Sequence, residues 1–138
     1  MKNTFILSIL FFLFSCNNNE LEFEKEYVIQ IESYYKIENN ELLFADTNTD
    51  IFVYYGIYTS DIAGYIIDKN GILTIGDKNI YPNKHHKISN TGKCEFISEQ
   101  PNDKITLLII SNNYKDKISQ FSYPNTKSDI KIEVVVNP

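Results

Sequence analysis

The sequence predicts an all-β domain built as an antiparallel two-sheet sandwich. Three observations predict it. Apolar residues recur at a period of two rather than 3.6, the apolar runs are short and rich in Ile, Val, Tyr and Phe, and turn-forming residues separate them. Two of the runs are apolar on both faces, so cover is needed from both sides.

The first strand is expected over residues 27–35, where Tyr27, Ile29 and Ile31 share one face and Gln30 and Glu32 the other. Residues 42–45 read as a short second strand. It is ended by Asp46-Thr47-Asn48-Thr49-Asp50, dense in residues whose side chains bond their own backbone. Residues 51–58 run apolar on both faces, as a central strand does. Residues 65–67 and 72–75 flank Asp68-Lys69-Asn70-Gly71, which predicts a hairpin because Gly at the fourth place can adopt the positive φ of such a loop. The pair 87–88 and the run 93–97 flank Ser89-Asn90-Thr91-Gly92 and predict a second hairpin. Residues 105–110 form another nearly all-apolar run. The last strand, residues 130–136, sets Ile130, Ile132, Val134 and Val136 on one face against Lys131 and Glu133 on the other.

Seven or eight such strands in about 110 residues resemble an immunoglobulin-like Greek key in architecture, without the cysteine pair and Trp of antibody domains. A small closed β-barrel is the alternative. A chain of 138 residues holds one domain of this kind.

The first sixteen residues carry a different message. Lys2 precedes an apolar run from Phe5 to Phe14 that Ser8 alone interrupts, too short to span a bilayer but suited to the core of a secretion signal. Leu13-Phe14-Ser15-Cys16 follows. This resembles the lipobox of bacterial lipoproteins, in which a branched apolar residue stands three before the cysteine and a small residue directly before it. The resemblance implies a signal peptide over residues 1–15, cleavage between Ser15 and Cys16, and lipidation of the Cys16 thiol with palmitate-type chains. Two or more chains anchor firmly where one holds marginally, at ~0.8 kcal/mol per buried CH₂.

Residues 16–26 then form a lipidated cysteine and a polar, acidic tether, with Asn17, Asn18 and Asn19 ahead of Glu20, Glu22, Glu24 and Glu26. Residues 27–138 form the sandwich. Lipoproteins retained at the inner membrane often carry Asp after the cysteine, so Asn17 points to the outer membrane of a Gram-negative-type envelope, on either its periplasmic or its surface face.

Charge excludes one class of partner. Loss of Lys2 with the leader leaves twelve lysines against eighteen acids, a formal charge of −6 with no Arg, so nucleic acid is not an expected ligand. Lipidation of Cys16 would leave Cys94 alone. Its alternation with Phe96 reads as a small core residue rather than a nucleophile.

No cofactor or metal is expected. The run Asp46 to Asp50 resembles the start of a calcium loop, but the sixth and twelfth places, which need Gly and a bidentate acid, hold Ile51 and Ile57. His85 and His86 are adjacent, which on a strand sends them to opposite faces, and they read as a solvated loop. No nucleophile elbow or phosphate loop is present, so the chain is read as noncatalytic. The tyrosines near expected loops, Tyr58, Tyr81, Tyr114 and Tyr123, are the candidate contact residues, because such rings offer large area at small entropic cost. The expected role is a noncatalytic binding or structural module on the envelope, engaging an envelope protein or serving as accessory to an outer-membrane assembly. The alternatives are an inhibitor of an extracellular enzyme and glycan binding through the tyrosines.

Overall fold

A computed structural model describes residues 25–138; the leader, the cleavage site at Ser15 and Cys16, and all but the last two residues of the tether lie outside the described residues. The described chain is all-β. Its strands are β1 (Val28–Tyr35), β2 (Phe44–Ala45), β3 (Asp50–Tyr55), β4 (Ile66–Ile67), β5 (Leu73–Ile75), β6 (Lys78–Ile80), β7 (Lys84–Lys87), β8 (Lys93–Ile97), β9 (Ile105–Ile110), β10 (Ile118–Tyr123) and β11 (Ile130–Val136), with one 3₁₀ turn at Thr59–Ile62.

Three sheets result, and none closes into a barrel. In the first, β1 lies between β11 on one side and β8 and β2 on the other. The central sheet has the order β10-β9-β3-β7, and a small cover sheet has the order β4-β5-β6. The pairing of β1 with β11 is parallel, from Ile29↔Ile130 to Tyr35↔Val136, whereas every other pairing is antiparallel.

The period-two pattern explains the layers. Ile29 and Ile31 of β1 and the four even-numbered residues of β11 meet Ile51 and Val53 of β3 and Ile105, Leu107 and Ile109 of β9 in one core. Each such side chain contributes roughly 1.5–3 kcal/mol by leaving water. The opposite face of the central sheet, with Phe52, Tyr54 and Leu108, builds a second core against Leu73 and Ile62. Strands apolar on both faces are thus covered twice, and the second cover is a third layer that a plain two-sheet sandwich lacks.

The strand order also departs from the immunoglobulin arrangement. There the first, second, fourth and fifth strands form one sheet and the third, sixth and seventh the other. Here, counting the longer strands β1, β3, β7, β8, β9, β10 and β11 as first to seventh, the first, fourth and seventh share a sheet and the second, third, fifth and sixth share the other.

The hairpin at Asp68 to Gly71 forms as expected between β4 and β5, closed by Gly71 N donating to Asp68 O at 3.0 Å. The second expected hairpin does not form. Ser89 to Gly92 is a tight turn, with Gly92 N donating to Ser89 O at 3.0 Å, but it carries the chain from β7 in the central sheet to β8 in the first. His85 and His86 lie within β7 and not in a loop.

Candidate functional site

The two ends of the sandwich differ. At the entry end, Lys25 to Tyr27 lie beside the loops between β8 and β9 and between β10 and β11. At the far end stand the segment Asp46 to Asp50, the β9–β10 loop and the end of β1.

The four candidate tyrosines are not brought together. Tyr58 is at the entry end beneath the Lys104 ammonium, 4.6 Å from its ring centroid. Tyr81 precedes β7 and is 64% exposed. Tyr123, at the entry end of β10, packs against the main core, and burial pushes its phenol pKa up. Tyr114 lies at the far end, where its hydroxyl donates to Lys36 O at 2.7 Å and its ring meets Tyr35 edge-on at 6.2 Å. Two of the four therefore serve the core.

The acids of the calcium-like segment are engaged by protein donors. Asp46 is wholly buried and accepts from Ser111 Oγ at 2.6 Å and Asn113 Nδ2 at 2.7 Å, tying its segment to the β9–β10 loop. Asp50 faces elsewhere, 2.7 Å from both His85 Nε2 and Lys87 Nζ. Partial burial works to raise the Asp50 carboxyl pKa, but Lys87 and His85 outweigh it and hold the group below its ordinary value. Among the described residues no group of three or more His, Cys, Asp or Glu is placed to hold a metal ion.

The histidines do point to opposite faces. His85 stacks on Phe52 with ring centroids 4.6 Å apart, and His86 stacks on Phe96 at 4.1 Å. Burial, then the neighbouring charges of His85 and Lys84, lowers the His86 pKa. Cys94 is half-buried against the main core, and burial raises its thiol pKa, which disfavours the nucleophilic thiolate. On the outer face of the first sheet, Glu32 is held between Lys93 at 3.0 Å and Lys131 at 3.4 Å, with the Tyr34 hydroxyl donating to it at 3.1 Å.

Three concavities remain among the described residues, of which a shallow one of about 450 Å³ beside Lys117 and Val135 is the most open, and the other two frame the ends of the sandwich. One, of about 760 Å³, is an open groove at the entry end, lined by Tyr27, Ile97, Pro101 and Lys127 among others. The other, of about 420 Å³, lies at the far end between the β4–β5 turn and the central sheet. Its wall carries Lys69, Lys87 and Lys115 over an apolar floor of Ile67, Ile110 and Ile118. Asp50 and Asp68 also line it, but Asp50 is paired with Lys87, and Asp68 accepts from the backbone N–H groups of Asn70 and Ile72, each at 2.8 Å. Lys69 and Lys115 form no ion pair among the described residues. With Lys87 matched to Asp50, the hollow keeps two lysines, Lys69 and Lys115, against the one carboxylate of Asp68, a small net positive charge beside an apolar floor that can take a carboxylate attached to an apolar body. The hollow is not legible along the chain, because these lysines come from a turn, a strand and a loop far apart in it.

Among the described residues no helix is long and apolar enough to cross a membrane. Comparison with protein-family models, with curated proteins and with solved structures finds no match for this chain.

Proposed function

We propose that this chain is a lipid-anchored lipoprotein of the bacterial outer membrane, cleaved before Cys16, whose noncatalytic β-sandwich module binds an envelope protein. The observation that carries the anchor is the order Lys2, apolar run, Ser15, Cys16 at one end of the sequence. The fold is in keeping with it. Residue 25 stands at the entry end, so an anchor at Cys16 leaves the lysine-bearing hollow at the end farther from the lipid. The module reading is supported by the engagement of the buried Asp46 and Glu32 carboxylates in structural bonds and by the cations of Lys69 and Lys115, which form no ion pair among the described residues.

The partner this hollow fits presents a carboxylate beside an apolar side chain. Pull-down from detergent-solubilised membranes, with the full lipidated chain as bait, tests the reading. One envelope protein recovered in stoichiometric amount, and lost with Lys69→Glu/Lys115→Glu, is the expected result. Recovery of a soluble secreted enzyme would replace it with an inhibitory role. Mass spectrometry of the native product tests the anchor separately, where an unmodified Cys16 would refute it.

A further inference from the structure

The free edge of β11 carries the inference. Backbone groups alternate in direction along a strand, and three hydrogen bonds fix that alternation here. Lys36 N donates to Val136 O at 2.9 Å, so the Val136 peptide groups face β1. On β1, Ser33 N donates to Gly92 O and Ser33 O accepts from Asp46 N, each at 2.9 Å, so the odd-numbered residues of β1 face the β2 and β8 side. Ile130, Ile132, Val134 and Val136 therefore direct their N–H and C=O groups to β1, and Lys131, Glu133 and Val135 direct theirs outward. No described strand pairs with that outward row.

Three devices that blunt such an edge, shortness, Pro and a bulge, are missing, and the charges of β11 come in both signs. The seven residues of β11 contain no Pro, and the register with β1 runs unbroken from Ile130 to Val136 without a bulge. Lys131 and Glu133 project from the solvent face of the sheet and do not block the edge itself. The opposite flank differs: β7, the edge of the central sheet, is only four residues, Lys-His-His-Lys.

A strand added to this edge must keep apolar residues over the core, because a one-residue slip reverses every side chain. For two copies of β11 related by a two-fold axis, that leaves axes through individual residues. An axis at Lys131 sets lysine opposite lysine, and one at Glu133 sets glutamate opposite glutamate. An axis at Val134 leaves Glu133 opposite Val135. The axis at Ile132 is self-complementary: Lys131 faces Glu133 of the second copy twice over, Ile132 faces Ile132, and Ile130 faces Val134. It also brings the outward peptide groups of Lys131 and Glu133 into mutual hydrogen-bonding positions.

We infer that β11 pairs antiparallel with β11 of a second copy about Ile132, joining the two first sheets into one continuous sheet. Opposite charges attract and like charges repel across such a pair. The test uses full-length lipidated protein in detergent micelles, with mass measured by light scattering and strand content by circular dichroism.

The wild type is expected to be a dimer. Glu133→Lys alone places lysines at 131 and 133, and Lys131→Glu alone places glutamates there, so each is expected to weaken self-association by at least about tenfold. Mixed in equal amounts, the two variants are expected to form a heterodimer. Glu133→Pro, which removes an outward N–H and leaves the bonds to β1 intact, is expected to be folded and monomeric, and it decides the matter if Lys131→Glu does not fold. A monomeric wild type, an undiminished Glu133→Lys dimer, or failure of the mixture to recover association would overturn the inference. Hydrogen-exchange protection of the Lys131, Glu133 and Val135 amides in a monomer would also overturn it, by showing another segment on this edge.

Discussion

The Tyr54 hydroxyl donates a hydrogen bond to the Gly71 carbonyl, fastening the middle of the central sheet to the turn of the covering hairpin. Gly71 sits at φ 78° with Phe52 directly beneath it, so a Cβ there would run into the Phe52 ring. Burial, with the Asp68 charge adding to it, raises the Tyr54 pKa far above its ordinary value and keeps the donor proton in place.

Loss of that donor leaves a buried carbonyl without its partner. Tyr54→Phe is expected to cost about 1–3 kcal/mol in urea unfolding. Gly71→Ala should cost more, since it adds an unfavourable backbone conformation and a collision. A smaller cost for Gly71→Ala than for Tyr54→Phe would mean that the cover sheet is not seated on Phe52.

Asp46 makes a second prediction. Removing its carboxylate strands Ser111 Oγ and the Asn113 amide and frees the far-end segment, so Asp46→Ala is expected to lose roughly 1.5–3 kcal/mol, the scale of a hydrogen bond to a charged group. Asp46→Asn, which keeps one acceptor oxygen, should lose less. Addition of calcium to the wild type should leave the unfolding midpoint unchanged, because the donors around Asp46 are supplied by the protein.

Acid should weaken the fold through two carboxylates. Lys93, then the Tyr34 hydroxyl, hold Glu32 below its ordinary 4.5, and Lys87 with His85 hold Asp50 below 3.8 against the opposing effect of burial. A folded-state pKa below the unfolded one contributes stability that is complete above the unfolded value and lost as pH falls through the folded value. Urea midpoints measured from pH 6 to pH 2 should therefore fall more steeply below about pH 4.5 for the wild type than for Glu32→Gln/Asp50→Asn. Parallel curves would show that neither ion pair stabilises the native state.

His86 follows the same sign for a different reason. Burial disfavours its cation, so its NMR titration should have a midpoint below the ordinary 6.5. Its share of stability is present above 6.5 and declines as pH falls and the unfolded chain takes up the proton first. A midpoint at or above 6.5 would contradict the stacked, partly dry position against Phe96.

Some of this was legible and some was not, for physical reasons. The hairpin at Asp68 to Gly71 announced itself through one glycine able to take a positive φ, and β11 through strict alternation of branched apolar residues. Strand β10 escaped notice because Ser119 stands on the same face as Phe121 and Tyr123, which breaks the apolar period. Strand β6 escaped because Lys78 and Asn79 carry no apolar signal. The turn at Ser89 to Gly92 was visible, but turn chemistry reports that the chain reverses and not which sheet the next strand joins. A polar run such as Lys84 to Lys87 looks like a solvated loop along the sequence; edge position in the sheet is what lets it be a strand. Adjacent tyrosines on a strand face opposite ways, and only the fold decides which ring the core takes: Tyr35 packs against the main core, whereas the Tyr34 hydroxyl donates to Glu32.

The union of β1 with β11 has a consequence for how the chain folds. Ile29 waits for Ile130, so the first described strand has no neighbour on that side until a segment about a hundred residues later in the chain docks. Contacts so distant in sequence form slowly, because loop closure must precede any reward. In refolding from urea, the amides of β1 that face β11 are therefore expected to gain protection from hydrogen exchange later than those of the central sheet.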